Sequence, residues 1–303
     1  MSSPRTFLPE DGAHHAPARL TPTPHLVASA SCLSSPSRAG GEDAAVVATD
    51  GQRTLVACAL DGMGGMSRGR DAARIAAAAV AERLGPERGR VELGEGGHGE
   101  GGHTKGGHSE GRPWGRESLD DQPLLATLDG LRLAHAGILS ECPGGGVTAA
   151  AAVVDGDELR TVHSGDAEVM VLSSTGDLRY RTPAHSPVGR ALQLGVLDED
   201  SALLHPERHL VSNGLGVTRM ALHLGPRIRL EEGDTVLVAS DGVTDNARVP
   251  EIVECLSRGD LVLGSTHLVD LCRERMERSM TTRTRTARIG KADDLTLLTI
   301  RRR

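Results

Sequence analysis

Five times along this 303-residue chain a short apolar run begins or ends on an aspartate. Asp43 opens AAVVAT, Asp61 closes TLVACAL, Asp166 sits between TVHSG and AEVMVL, Asp241 closes TVLVAS and Asp293 opens LTLLTIR. A single Asp-Gly at a strand end is an ordinary turn. The set is not ordinary. Strand ends at one edge of a sheet can converge, and carboxylates that converge without basic partners repel one another strongly. A hard divalent cation resolves that conflict, because Mg²⁺ and Mn²⁺ take oxygen ligands in octahedral geometry. No His or Cys accompanies these acids, which argues against zinc.

The runs between the aspartates read as hairpins. Asp50-Gly51 turns DAAVVAT into RTLVACAL, so residues 44–60 form a hairpin. VTAAAAVV and LRTVHSG pair across Asp155-Gly156, and AEVMVLSS and LRYRT pair across Ser174-Thr175-Gly176. An Ala-rich helix runs from Gly69 to about Arg83, stopped by Gly85 and Pro86. A second carries Leu124, Leu125, Leu128, Leu131, Ile138 and Leu139 at helical spacing, with Ser118 near its start. Residues 183–225 look irregular. Helices follow over about 249–258 and 266–280, and a last strand enters through Asp293-Asp294. Hairpins with paired helices between them predict an α+β fold around antiparallel sheets.

Two segments stand apart. Residues 1–24 hold five prolines and read as a flexible tail before a single domain over 25–303. Residues 86–117 contain GGHGE-GGHTK-GGHSE, with His98, His103 and His108, and are expected to be a disordered insertion. Repeat expansion in a glycine linker explains that spacing better than a metal site does.

Only Phe7, Trp114 and Tyr180 are aromatic, so the core must be built from Leu, Val, Ile and Ala. With 34 basic against 41 acidic residues and a net charge of −7, the chain offers neither stacking platforms nor a basic footprint for nucleic acid. The five cysteines are scattered without CxxC spacing and read as free thiols of a reducing compartment. No apolar run spans a membrane and no secretory leader is recognisable, so a cytoplasmic protein is expected.

Seven motifs, in order from about residue 25 onward, carry a family resemblance. They are Arg38-Ala39-Gly40-Gly41-Glu42-Asp43, Asp61-Gly62-Met63-Gly64-Gly65, Gly146-Val147-Thr148-Ala149, Ser164-Gly165-Asp166, His205-Pro206 with Gly214-Leu215-Gly216, Ser240-Asp241-Gly242-Val243-Thr244-Asp245 and Asp293-Asp294-Leu295-Thr296. The series resembles the bacterial metal-dependent (PPM, type 2C) serine/threonine protein phosphatases.

That resemblance implies a β-sandwich of two antiparallel sheets with a helix pair on each outer face. It also implies two Mn²⁺ or Mg²⁺ ions, with a third, weaker one. By the same resemblance Asp61 bridges the pair, the Gly62 carbonyl joins one ion, and Asp241 and Asp293 complete the other. Asp166 with Asp241 holds the third ion, Glu42 and Asp43 hold metal-bound waters, and Arg38 pairs with the substrate phosphate. The activity implied is hydrolysis of phosphoserine and phosphothreonine on proteins by a metal-activated water, without a phosphoenzyme. The partners implied are phosphorylated proteins, among them a serine/threonine kinase or its substrates, and the chain is expected to act as a monomer.

The departures are specific. Gly41 replaces the family's usual Asn, Ala167-Glu168 replace Ser-Arg, and Ala184 replaces the Asp of Asp-His-Ser. None removes a metal ligand, and the latter two bear on the third ion and the substrate range. Two other classes compete: a regulatory pseudo-phosphatase that binds phosphoproteins with little turnover, and another two-metal phosphohydrolase such as a nuclease. The complete set of Asp61, Asp241 and Asp293 favours catalysis, and the missing basic groove weighs against the nuclease.

Overall fold

Alternation of small apolar residues with tight Asp-Gly and Ser-Gly turns leaves the chain few options besides stacked hairpins. In a computed structural model, residues 4–8, 18–37, 40–63, 68–85, 121–281 and 290–303 are described. The strands are β1 (Arg5–Phe7), β2 (Ala18–Thr23), β3 (Leu26–Leu33), β4 (Ala44–Thr49), β5 (Thr54–Gly62), β6 (Val147–Asp155) and β7 (Glu158–Ser164). They continue with β8 (Glu168–Leu172), β9 (Leu178–Arg181), β10 (His223–Leu224), β11 (Ile228–Arg229), β12 (Thr235–Ala239) and β13 (Leu295–Arg302). The helices are α1 (Gly69–Leu84), α2 (Gln122–Glu141), α3 (Pro187–Gln193), α4 (Glu199–Leu203), α5 (Asp241–Thr244), α6 (Val249–Leu256) and α7 (Leu261–Thr281).

One sheet has the order β1-β4-β5-β6-β7-β10, with β11 also on β7, and the other has β2-β3-β13-β12-β8-β9. Pairing is antiparallel within both sheets. The expected hairpins all form. Each of the three apolar layers has its own residues. Ala57, Ala59, Ala150, Ala152, Val169 and Val236 fill the space between the sheets. Ala72, Ala76, Val80, Leu131 and Ile138 seat α1 and α2 on the first sheet. Ile252, Leu256, Leu268 and Cys272 seat α6 and α7 on the second. The result is a four-layer α-β-β-α sandwich. Phe7 and Tyr180 lie at the rim of the inter-sheet layer, so aliphatic and alanine side chains do carry the core.

Three expectations are corrected. The tail expected over 1–24 contributes two strands, and both are edge strands, the place where a sheet tolerates proline. Pro22 lies in β2, whose register shifts between Leu20 and Thr23. The irregular stretch 183–225 contains α3 and α4, whose caps are Ser186, accepting from the Gly189 N–H at 2.9 Å, and Asp198, accepting from the Ser201 N–H at 2.7 Å. Helix α7 begins at Leu261 instead of 266, because the Asp260 carboxylate accepts from the Val262 and Leu263 N–H groups at 2.9 and 3.1 Å. The insertion expected over 86–117, including its histidines, lies outside the described residues. Among the described residues no helix is long and apolar enough to cross a membrane.

Candidate active site

Register brings the aspartates to one end of the sandwich. In the second sheet Leu295 pairs with Leu33 and Ala239 pairs with both Leu297 and Glu168. The end of β3, the start of β13, the end of β12 and the start of β8 therefore share an edge, which places Asp293, Asp241 and Asp166 side by side. In the first sheet Ala44 pairs with Leu60, and Asp61 pairs with Thr148, so Asp43 and Asp61 lie at its corresponding edge. The two edges face each other. Asp61 feels the charges of Asp43, Asp241, Asp293 and Asp166.

Close backbone packing holds this edge. The Gly62 N–H donates to the Glu42 carbonyl at 3.1 Å, and a Cβ on Gly62 would stand 2.4 Å from that oxygen. At Gly242 a Cβ would stand 1.8 Å from the Asp294 carbonyl oxygen. Only glycine permits either approach. Asp294, buried at 2% exposure, accepts from the Ser35 N–H and the Glu42 N–H, each at 2.6 Å. Its two oxygens thus tie both ends of the 35–42 loop to the site. Asp43, equally buried, accepts from the Thr296 hydroxyl at 2.9 Å.

The electrostatics are those of crowded, buried acids. Burial first, and then neighbouring carboxylates, push Asp61 and Asp166 well above the usual carboxylate range. Burial and Asp294 do the same to Asp43. Burial and the Asp241 charge raise Asp245 to about 7 and Asp293 to about 6. Cationic groups do reach one side of the cluster. The Lys291 ammonium donates to Asp241 and to Asp293, the latter at 2.9 Å, and stands 3.4 Å from Asp245. Arg208 approaches Asp245 at 3.6 Å. The donor set is oxygen throughout and strongly anionic, which fits hard divalent cations.

Of the residues singled out from sequence, the structure brings together Asp43, Asp61, Gly62, Asp166, Asp241 and Asp293, with Glu42 beside them. Arg38, Gly64 and Gly65 lie outside the described residues. Sequence reasoning missed Lys291, Asp245 and the clamp formed by Asp294. The last two sit inside the family motifs, whereas Lys291 carries no motif signal.

Beside the acids opens a cavity of about 340 Å³, lined by Asp166, Asp241 and Asp245 on one side and by Val188, Leu192 and Leu203 of α3 and α4 on the other. Glu168, standing where the family has arginine, is buried and receives the guanidinium fork of Arg181 from β9. Arg181 also meets Glu199 at 3.2 Å, and Arg248 meets Asp200 at 2.6 Å, so two ion pairs hold α4 over this cavity.

A second polar cluster lies close by. His163, His185 and His223 place one ring nitrogen each within 4.8 Å of one another, the only His/Cys/Asp/Glu trio to do so among the described residues. Its tautomers argue against a metal. The His163 Nε2–H donates to the Pro183 carbonyl at 2.9 Å, leaving Nδ1 as a lone pair. His185 Nδ1 accepts from the Gly165 N–H at 3.0 Å and from Asn213 Nδ2 at 2.9 Å. The Asn213 amide is oriented by Ala221, whose N–H it accepts at 3.0 Å and whose carbonyl it donates to at 2.8 Å. His185 Nε2 therefore carries the proton and offers no lone pair. Burial, with the two neighbouring rings, lowers His185 to about 4, so His185 is neutral near pH 7.

All five cysteines are free. Burial pushes the Cys58 and Cys272 thiols up to about 12, which removes them as nucleophiles near neutral pH.

No family model matches the chain. A 111-residue stretch, 36% of the chain, is 31% identical to a protein phosphatase 2C-type of Streptococcus pyogenes and spans 44% of that relative. The structure of the S. agalactiae serine/threonine phosphatase superposes with a TM-score of 0.66 at 20% identity, covering 92% of this chain and all of that one. The catalytic domain of the serine/threonine phosphatase PstP, in complex with two manganese ions, superposes with a TM-score of 0.61 at 22% identity over 91% of this chain and 98% of that one. The chain has the fold of the bacterial PPM serine/threonine phosphatases.

Proposed function

We propose that the chain is a metal-dependent protein phosphatase that hydrolyses phosphoserine and phosphothreonine by direct attack of water, without a phosphoenzyme. The observation that carries this reading is the convergence of Asp61, Asp166, Asp241, Asp245 and Asp293 at one sandwich edge. Asp61, the Gly62 carbonyl, Asp241 and Asp293 would hold two ions, and Asp166 with Asp241 a weaker third. Mn²⁺ or Mg²⁺ bound there would supply Lewis acidity that activates water and neutralises phosphoryl oxygens. Glu42 and Asp43 would orient water at the rim, and Asp43 is held for that by Thr296. Asp294 fixes Ser35 and Glu42, and Arg38 would pair with the substrate phosphate. The cavity under α4 would take the side chain next to the phosphoresidue. The raised thiols of Cys58 and Cys272 support a path that uses no cysteine.

The substrates would be phosphorylated proteins, among them a serine/threonine kinase or its targets, met by a monomer in the cytoplasm. One observation favours the alternative of a phosphoprotein-binding domain with little turnover: the Lys291 ammonium already neutralises part of the acidic edge. The deciding experiment is release of phosphate from a phosphothreonine peptide with and without Mn²⁺, in the presence of a thiol blocker. Mn²⁺-dependent turnover that resists the blocker is expected. Peptide binding without turnover would give the alternative.

A further inference from the structure

The acidic edge is not evenly charged. The largest perturbations of Asp61 come from burial and from the charges of Asp43, Asp241, Asp293 and Asp166. Asp241, Asp245 and Asp293 instead surround one ammonium, that of Lys291. An ammonium has three N–H donors, and three carboxylates are set around this one. The arrangement is built, not incidental, because the Lys291 backbone is gripped on both sides by one buried amide. Its N–H donates to Asn246 Oδ1 at 2.9 Å, and its carbonyl accepts from Asn246 Nδ2 at 3.0 Å. The same Nδ2 donates to the Gly242 carbonyl at 2.9 Å, which ties the grip to the turn that carries Asp241.

We propose that Lys291 is a chain-borne counter-cation that competes with a divalent ion for the Asp241–Asp245–Asp293 side of the site. The inference rests on the metal-dependent reading above and deepens it. Two like charges cannot share three carboxylates at contact distance without strong repulsion. A divalent ion must therefore displace the ammonium, which its flexible four-carbon stem allows. Lys291 sets a threshold for cation uptake on that side, and Asn246 is the positioning residue that aims it. The Asp61 side does not face that threshold from Lys291.

Calorimetric titration of the full chain with MnCl₂, with unbound Mn²⁺ counted by its electron paramagnetic resonance signal, tests this without any turnover. In Lys291→Met the weaker of two Mn²⁺ affinities should tighten by about tenfold or more, while the tighter one stays nearly constant. Lys291→Arg, which keeps the charge, should stay close to wild type. Circular dichroism establishes that each variant is folded, and Lys291→Gln replaces the Met variant should that one fail to fold. Coincident isotherms for wild type and the charge-removing variant would overturn the role of Lys291 and leave the metal reading standing. Absence of Mn²⁺ binding in wild type and in every variant would overturn the metal reading, and this inference with it.

Discussion

The acidic edge and the three-histidine cluster meet at Gly165, whose N–H donates to His185 and whose neighbour is Asp166. By proximity alone the histidines are the better metal site, since their ring nitrogens lie within 4.8 Å and no carboxylates among the described residues form such a trio. Donor chemistry reverses the ranking. His185 has spent its lone pair on two amides, and the neighbouring rings, with centroids 4.2 and 4.4 Å from the His185 ring, pack against it. The carboxylates have spare oxygens and an excess of negative charge. A ligand site is therefore set by lone pairs that remain available, not by how closely ligand atoms approach. The histidines serve the fold instead. Ser212 donates to the His185 carbonyl through its N–H and its hydroxyl, each at 2.8 Å, so His185 joins both ends of the α3–α4 segment.

The largest test of that contrast is a pair of substitutions. Asp241 faces Lys291 at the centre of the acidic edge, and Asp241→Asn should lower kcat by about 10³-fold or more while the fold persists. His223→Ala, on the exposed member of the trio, should leave kcat close to wild type and Mn²⁺ binding unchanged. Asp241→Asn retaining more than about a tenth of the activity at saturating Mn²⁺ would refute the assignment.

A stability effect comes next. His185→Ala would strand the buried Gly165 N–H, worth about 1–3 kcal/mol when left unpaired. Chemical denaturation should show a loss of that size. Zinc should bind wild type and this variant equally. Zinc binding that disappears in the variant would restore the trio as a metal site.

The two clusters should also respond oppositely to pH in metal-free protein. Asp293 and Asp245 are raised to about 6 and about 7, mainly by burial, so the folded state holds protons that the unfolded state has released. Their stabilising contribution is complete at low pH and is lost as pH rises through 6 to 7. His185 is lowered to about 4, so its contribution is present above the ordinary histidine range and is lost as pH falls towards 4. Both changes fall between about pH 4 and 7 with opposite signs, and two carboxylates outweigh one imidazole, so the melting temperature of chelated protein should decline as pH rises from about 4 to 7. Added Mn²⁺ should remove that alkaline decline and leave the histidine loss on the acid side. An alkaline decline that persists with Mn²⁺ would show that these carboxylates do not take the ion.

Much of this was legible in the sequence. The hairpin turns announce themselves as Asp50-Gly51 and Asp155-Gly156, and the five strand-end aspartates stand out before any pairing is known. Local cues fail where a proline run masks a strand, as in β2, because only tertiary placement at an edge makes Pro22 acceptable. They fail again where a side chain is aimed from elsewhere. Lys291 points into the acids because Asn246, 45 residues earlier, grips its backbone. The histidine stack draws on β7, β10 and the loop before α3, which no local pattern links.

The smallest effect concerns the Gly/His-rich stretch. Helices α1 and α2 run antiparallel. Arg68, at the start of α1, donates to the Glu141 carbonyl at the end of α2 at 3.2 Å, and Arg83, near the other end, meets Asp129 at 3.2 Å. The start of α1 packs at the active edge, where the Gly69 carbonyl oxygen lies 2.6 Å from the position a Cβ would take on Gly62. The 16 residues of α1 then carry the chain about 24 Å away, at 1.5 Å per residue, before Gly85. The stretch between Gly85 and Asp121 is thus anchored at the end of the helix pair remote from Asp61. Loop-closure entropy changes only slowly with length, so shortening a connection there costs little. Replacing residues 94–112 by a short Gly-Ser linker should leave kcat, KM and the Mn²⁺ dependence essentially unchanged in a phosphopeptide assay. A loss above about tenfold without unfolding would exceed any loop-length effect and would place His98, His103 and His108 in metal supply or substrate docking.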